Sequence, residues 1–263
     1  MTSNADYHAD PAISASHLHA VAASPYHYWS RFLAPDRPPS VQTAAMKLGS
    51  LTHCAVLEPD ELLAGRYGIA PDRRTNAGKA VAAEMEAAGI EAVTAPEMEQ
   101  ALAMAASVRS HQAAAALLRD GKAEQSFWWD DIQTGLRCKC RPDWYNGTTI
   151  VDLKTTTDAS PKGFAKSVAQ WRYHVQQNHY LAGTFAERFV FIAVEKQYPF
   201  CVGVYELDET AALHGEAERR NNLQTIADCR AISEWPGYGN TIQPLSLPNW
   251  ALYGTTAITS DDF

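Results

Sequence analysis

Two aspartates and a lysine stand close together in the middle of the chain. Asp143 precedes the dipeptide Asn146-Gly147, and Asp152 and Lys154 follow it, two residues apart. Two carboxylates held near each other repel unless a cation lies between them, and hard oxygen ligands favour Mg²⁺ or Mn²⁺. A neighbouring ammonium group could orient a water molecule or stabilise charge on a phosphoryl oxygen. These residue types indicate metal-assisted phosphoryl chemistry.

The Asn-Gly dipeptide lies between two runs of alternating apolar residues, which predicts a β-hairpin with a two-residue turn in which Tyr145 faces Thr148. Side chains alternate between the faces of a strand, and opposed residues share a face. Asp143, Asp152 and Lys154 then lie on one face, with the two aspartates diagonal to each other and about 7–8 Å apart. The same face carries three basic residues behind them: Arg137, Lys139 and Arg141.

A structural interpretation of this hairpin is equally open. Arg141 could pair with Asp152, and Asp143 with Lys154, as an ion-pair ladder on the protein surface. Exposed pairs of this kind contribute only about 0–1 kcal/mol each. The pattern alone does not separate a ladder from a metal site.

The charge of the chain is unevenly distributed. The net charge is −8, but residues 137–172 carry seven basic and three acidic side chains, or +4, which leaves −12 for the rest. Such a basic segment on an acidic body could bind a polyanion in one place, although solvated charges explain it as well.

The cysteine pattern and the apolar runs favour a reduced, cytoplasmic location. The five cysteines are scattered and form no paired CxxC motifs, so neither a zinc module nor a disulfide framework is expected. No apolar run approaches the roughly 18 residues of a membrane span. Nor does the N-terminus read as a signal peptide.

The periodicity of the chain predicts one α/β (α+β) domain over 1–263. Residues 1–120 read as mainly helical, 121–232 as the catalytic core, and 233–263 as an irregular C-terminal tail. Within the core, the predicted strands cover 123–132, 135–145, 148–155, 188–195 and 200–207, and the predicted helices cover 161–170, 173–186 and 208–232. A long helix is predicted over 95–119.

Several motifs resemble those of one nuclease superfamily. Pro142-Asp143 followed by Asp152-Leu153-Lys154 is similar to the PD-(D/E)XK core, a mixed β-sheet flanked by helices. Gly49-Ser50-Leu51-Thr52-His53 resembles the GSxxH element of recombination exonucleases, and Gln176-Gln177-Asn178-His179-Tyr180 their QxxxY element. The resemblance extends from about residue 7 to residue 250 and is closest to RecE-type exonucleases, the exonuclease VIII catalytic domain.

The resemblance implies roles for individual residues. The implied metal ligands are His53, Asp143, Asp152 and the Leu153 carbonyl, with Glu124 either a second-metal ligand or a strand-edge charge. Lys154 would position the attacking water. Gln176 and Tyr180 share a helical face and would steady the lysine strand or contact DNA. The candidate contacts to DNA phosphates are Arg73, Arg74, Lys79, Arg141 and Arg172.

The resemblance also implies an activity, namely 5′→3′ degradation of linear double-stranded DNA with Mg²⁺, or Mn²⁺ as a substitute. The resulting 3′ single strands would serve a single-strand-annealing recombinase, and the enzyme would form a ring-like tetramer. Some relatives hold an iron–sulfur cluster through four cysteines, but Cys229 stands alone in the last 60 residues, so no cluster is expected. A structure-specific endonuclease and a non-catalytic DNA-binding recombination subunit are the alternatives.

Overall fold

The computed structural model describes residues 3–39, 41–71 and 74–248. Its first half is mainly helical, as the sequence predicts. The helices there are α1 Asn4–Ala9, α2 Ala15–Ala23, α3 Pro25–Tyr28 with a π-helical turn Trp29–Leu33, α4 Ala44–Leu57, α5 Pro59–Leu63, α6 Asn76–Ala87, α7 Ala95–Ser110 and α8 Gln112–Leu117. Threonines begin α4, α6 and α7, because each hydroxyl accepts an N–H of the first turn. Two short strands, β1 (Tyr67–Ile69) and β2 (Glu91–Val93), pair in parallel.

The long helix predicted over 95–119 is two helices. His111 leaves the helical conformation with ψ of 115°, and its Nδ1 accepts the N–H of Ala114 at 3.3 Å. The imidazole therefore caps α8 and separates it from α7. A histidine in an alanine-rich run gives no strong signal for such a cap, so the periodicity of the sequence predicted one continuous helix.

The centre of the fold is a mixed five-stranded sheet. Its strands are β3 Lys122–Ala123, β6 Trp144–Tyr145, β7 Thr149–Thr156, β8 Arg188–Glu195 and β9 Val202–Tyr205, in the order β3-β6-β7-β8-β9. Strands β7 and β8 run parallel, and the other neighbours are antiparallel. Apolar residues on both faces of β7 and β8 are buried. The mixed α/β fold class is confirmed.

The predicted strands over 123–132 and 135–145 are each interrupted. Strands β4 (Phe127–Asp130) and β5 (Arg137–Cys140) form a separate antiparallel hairpin outside the central sheet. Proline lacks the N–H that a continuous strand needs, and Pro142 lies between β5 and β6. Instead of joining the central sheet, β5 accepts the N-terminal segment, where Ile13 exchanges backbone hydrogen bonds with Arg137 and Lys139 at 2.8 Å.

The predicted two-residue turn between β6 and β7 is also wrong. Tyr145 pairs with Ile150 rather than with Thr148, so four residues separate the two paired positions. The Asn146 carboxamide oxygen accepts the N–H groups of Thr148 and Thr149 at 3.1 and 2.8 Å, which stabilises this wider turn. The shift equals two residues, so the side chains of β6 and β7 keep their predicted faces, whereas β5 lies outside this sheet.

Three long helices complete the core: α9 Pro161–Trp171, α10 Tyr173–Thr184 and α11 Glu209–Ile232. Arg172 separates α9 from α10 in a left-handed conformation with φ of 57°. Residues 233–248 contain no helix or strand, and Trp235 packs on Tyr28 with ring centroids 5.1 Å apart. The rest of the predicted tail, 249–263, lies outside the described residues. None of the described helices is both long and apolar enough to cross a membrane.

Candidate active site

Strand β7 carries two of the predicted residues inward. Asp152 has no solvent exposure, and its Oδ2 lies 2.5 Å from the Lys154 ammonium group two positions along the strand. The other oxygen, Oδ1, accepts a hydrogen bond of 2.7 Å from the Gln176 amide on α10. The Asp152 carboxylate is therefore fixed from both sides. This geometry follows from the alternation of the strand, which places residues two apart on one face.

The surroundings of Asp152 and Lys154 shift both pKa values upward. Burial raises the pKa of Asp152 to about 6, against the opposing effect of Lys154. Burial alone would lower the pKa of Lys154, but the negative charges of Asp152 and Asp143 outweigh it and raise that pKa. Lys154 is therefore a firmly protonated ammonium group.

Tyr173, which the sequence analysis did not single out, also contacts Lys154. Its ring centroid lies 4.7 Å from Nζ, a cation–π distance. Tyr173 begins α10 three residues before Gln176, so both point toward β7. That spacing within the predicted helix was the available signal.

Asp143 lies at the end of the linker between β5 and β6, beside the β7 backbone. Its Oδ2 accepts the N–H of Leu153 at 2.7 Å and lies 3.5 Å from Nδ1 of His53 on α4. The ladder considered from the sequence does not form among the described residues. Asp152 pairs with its strand neighbour Lys154, and Asp143 is held by a backbone N–H.

Glu124 lies next to this pair, directly after β3. Its N–H donates to the Asp143 carbonyl at 3.2 Å, and its backbone has φ of 52°. One potential ligand atom from each of His53, Glu124 and Asp143 lies within 4.8 Å of the others. Burial, and then the charge of Asp143, raise the pKa of Glu124 to about 8.

A cavity of about 410 Å³ opens beside these residues. His53 and Glu124 line it, together with Gly49 one helical turn before the histidine. Its wall also contains Glu58 and Arg66, which form an ion pair at 3.0 Å and which the sequence analysis missed as site residues. Only the basic character of the loop after α5 pointed to Arg66.

The candidate DNA contacts do not gather at this cavity. Arg141 lines it but is buried, and its guanidinium donates to Ser126 at 2.8 Å and to Asn4 at 3.1 Å. Arg172 pairs with Glu218 at 2.9 Å. The other predicted contacts are dispersed: Lys79 lines a separate cavity of about 540 Å³, Arg74 is exposed after β1, and Arg73 lies outside the described residues.

Tyr180 lies one turn after Gln176 on α10. Its ring packs against Phe189 on β8 with centroids 6.1 Å apart, and burial is the main reason that its pKa is raised. The phenol is therefore neutral and belongs to the packing between α10 and the sheet.

The donor set fits a hard divalent cation. Asp152 Oδ2 is buried and has no hydrogen-bond partner among the described residues apart from its ion contact with Lys154. Burial is the main cause of the raised pKa of Glu124 and the charge of Asp143 is the second, and a cation between the two carboxylates would offset their repulsion. Carboxylate oxygens with one imidazole suit Mg²⁺ or Mn²⁺.

A mixed sheet that carries Asp152 and Lys154 on β7, with Asp143 in the linker directly before β6, defines a PD-(D/E)XK-type fold. The chain belongs to the family described as a PDDEXK-like domain of unknown function (DUF3799), whose profile matches residues 14–247. The predicted superfamily is thereby confirmed. No curated protein matches the sequence.

Three of the solved structures similar to this chain are named as exonucleases. A putative exonuclease from Eubacterium rectale has a TM-score of 0.66 at 14% identity, over 97% of this chain and 99% of its own. A phage-related exonuclease from Haemophilus somnus 129PT scores 0.34 at 14% identity, over 60% and 84%. An alkaline exonuclease from Laribacter hongkongensis scores 0.30 at 14% identity, over 67% and 96%. At 14% identity, the first likeness establishes a shared fold.

Proposed function

We propose that this protein is a Mg²⁺-dependent 5′→3′ exodeoxyribonuclease that degrades one strand of linear double-stranded DNA and leaves 3′ single-stranded tails. The observation that carries the proposal is the fully buried Asp152, held between Lys154 and Gln176 beside Asp143. A buried carboxylate with charged neighbours is costly for stability, and such groups concentrate at functional sites. Membership of a PDDEXK-like family supports the same conclusion.

Four groups would hold the metal: Asp143, Asp152, His53 and the Leu153 carbonyl. Glu124 would be a ligand of a second metal ion. When bound, Mg²⁺ supplies Lewis acidity at the scissile phosphate and lowers the pKa of a water molecule. The chain's own residues supply the rest of the chemistry. Lys154, kept protonated by its neighbours, donates hydrogen bonds that orient the attacking water and stabilise charge on a phosphoryl oxygen.

Two residues of α10 would position these groups. Gln176 holds one oxygen of Asp152, so the other faces Lys154. Tyr173 covers the ammonium group with its ring and limits the positions that the lysine side chain can adopt. Pre-organisation of this kind lowers the barrier because little reorientation is left for the reaction itself.

The wider role rests on the family resemblance. We propose that 1–263 acts as one catalytic domain in the cytoplasm, assembles as a ring-like tetramer, and passes its 3′ tails to a single-strand-annealing recombinase. Arg73, Arg74, Lys79, Arg141 and Arg172 are the proposed basic contacts to DNA phosphates. Arg141 could act only through the small part of its side chain that remains accessible.

The test is a cleavage assay on three substrates. Linear duplexes labelled at the 5′ end or the 3′ end, and a covalently closed circle, are incubated with Mg²⁺ or with EDTA. We expect the 5′ label to be released early as a mononucleotide with Mg²⁺ only, while the circle stays intact. A cut circle would establish an endonuclease instead. DNA binding without Mg²⁺-dependent cleavage would establish a non-catalytic subunit.

A further inference from the structure

A second cluster of metal-ligating side chains lies between α10 and α11, and shares no residue with the candidate active site. It consists of His174 on α10 with His214 and Glu218, one turn apart, on α11. His174 Nε2 lies 3.2 Å from Oε2 of Glu218, and His214 Nε2 lies 3.2 Å from Oε1. The carboxylate therefore stands between two imidazoles, one at each oxygen.

Close packing of the two helices holds the cluster together. Gly215 follows His214, and a β-carbon at this position would collide with the His174 carbonyl oxygen. The Asn178 amide donates to the carbonyls of His174 and Ala212, both at 2.9 Å, and so joins α10 to α11. The two imidazole rings lie 5.5 Å apart with planes only 5° from parallel. The ligand atoms are thus positioned by backbone contacts rather than by the flexible side chains alone.

We propose that His174, His214 and Glu218 bind one divalent transition-metal ion, with Zn²⁺ as the best match. Zinc bonds to nitrogen and oxygen are about 2.0–2.2 Å, so two ligands of a tetrahedral ion lie about 3.3 Å apart. Each histidine nitrogen lies 3.2 Å from a different oxygen of Glu218, close to that value, and one ligand atom from each of the three residues lies within 4.8 Å of the others. Two imidazoles with one carboxylate favour zinc over Mg²⁺, which prefers oxygen ligands and water.

The exposure of the cluster is compatible with ion entry from solvent. The His214 side chain is 67% exposed, whereas that of His174 is 10% exposed, so the site opens on the α11 side. Water can complete the coordination there. Arg172 also contacts Glu218 Oε2 at 2.9 Å, so the ion would share this oxygen with the guanidinium, while Oε1 faces His214.

Bound zinc would cross-link α10 to α11. Because α10 also carries Gln176, such a link would stiffen the helix that holds Asp152. The proposal does not depend on the nuclease activity, since it concerns metal binding alone.

The test measures retained Zn²⁺ in the full-length protein in the presence of excess Mg²⁺, which competes for the oxygen-rich candidate active site. The variants are His214→Ala, His214→Gln and, as a matched control, the exposed His27→Ala on α3. Asp143→Asn reports any zinc held at the candidate active site instead. Far-UV circular dichroism checks that each variant is folded.

We expect the wild-type protein, His27→Ala and Asp143→Asn each to retain one zinc equivalent. Both His214 variants should lose it, because they bind zinc at least tenfold more weakly. Cobalt titration should give a visible absorption band that disappears with the same variants. Equal zinc retention by His214→Ala and His27→Ala would overturn the proposal, and so would loss of the retained equivalent in Asp143→Asn.

Discussion

Lys139 and Lys154 come from neighbouring predicted strands, yet Lys139 contacts backbone carbonyls and Lys154 contacts a carboxylate. Lys154 lies beside the Asp152 carboxylate, and its pKa is raised because the neighbouring negative charges outweigh burial. Lys139 is buried on β5, where its ammonium group donates to the carbonyls of Tyr7 and Asp10. Burial lowers its pKa. One lysine is held by charges that could take part in chemistry, and the other fastens the N-terminal segment to the core.

The difference shows that the partner, rather than the strand pattern, decides the role of a buried lysine. Carbonyl groups satisfy the hydrogen-bonding capacity of Lys139 but do not neutralise its charge. The two carboxylates near Lys154 satisfy its hydrogen-bonding capacity and also neutralise its charge. We therefore expect substitutions of Lys154 and the residues around it to affect cleavage. Substitutions of Lys139 and the residues around it should affect stability.

The largest effect is expected from Asp152→Asn. Without the carboxylate, Lys154 loses the neighbouring negative charge that distinguishes its surroundings from those of Lys139. The proposed metal also loses a ligand. Cleavage of linear duplex with Mg²⁺ should fall by about 10³-fold, equivalent to about 4 kcal/mol. Asp130→Asn, which removes an exposed carboxylate paired with Arg137, is the control and should cleave normally. Full activity of Asp152→Asn would contradict the assignment.

The second largest effect is expected from acid, which should lower the free energy of unfolding through His179, a neighbour of Lys139. His179 donates from Nε2 to the carbonyls of Ile13 and Lys139, both at 3.1 Å, and burial lowers its pKa from 6.5 to about 4. The unfolded state then binds the extra proton between these values. Stability from neutral His179 is therefore complete above about pH 6.5 and falls progressively toward pH 4, by about 3 kcal/mol.

Urea unfolding at pH 7.5, 5.5 and 4.5 checks this dependence against His179→Gln. The two proteins share every other titrating group, so the difference between their pH profiles isolates the imidazole. We expect the variant to lose less stability on acidification than the wild type. Parallel profiles would show that His179 is not a source of the acid sensitivity.

Lys139→Met should reduce the free energy of unfolding by about 2 kcal/mol, because the carbonyls of Tyr7 and Asp10 lose a charged donor. Its cleavage rate should stay within about twofold of wild type, a free-energy difference of about 0.4 kcal/mol. Arg137→Met, two residues earlier on the same strand, removes only an exposed ion pair and should change stability by less than about 0.5 kcal/mol. Chemical denaturation of the three proteins gives the comparison.

The smallest effect is expected from Gln176→Met, which keeps the side-chain length but removes the amide that holds Asp152. Cleavage should slow about tenfold, or about 1.4 kcal/mol, with little change in stability. Gln224→Met on α11 removes an exposed amide that bonds Asp228, and it should have no effect on cleavage. Equal rates for both variants would exclude a positioning role for Gln176.

The strand pattern around the Asn-Gly dipeptide was enough to predict which side chains share a face. The register is shifted by two residues, and a shift of two preserves the faces. Asp152 and Lys154 meet as predicted because residues two apart on one strand share a face whatever the register. The placement of His53 and Glu124 beside Asp143 came from the resemblance, because local pattern says nothing about how a distant helix packs.

The burial and the contacts of Lys139 and Arg141 could not be predicted from the alternation of residues along the strand. Both contact the first residues of the chain, more than 120 positions away, and Pro142 then takes the backbone out of the strand. Alternation predicted a basic stripe beside the aspartates, but tertiary contacts buried Lys139 and Arg141, and Arg137 stayed exposed. The roles of the individual site residues stay predictions.

The most direct test compares Lys154→Met with Lys139→Met in single-turnover cleavage of a 5′-phosphorylated linear duplex at saturating Mg²⁺. Both variants replace, by the same apolar side chain, an ammonium group that other groups of the protein hold. The account predicts a loss of about 10³-fold for Lys154→Met and a rate within about twofold of wild type for Lys139→Met. Wild-type cleavage by Lys154→Met would contradict a nuclease centre built on Asp143, Asp152 and Lys154.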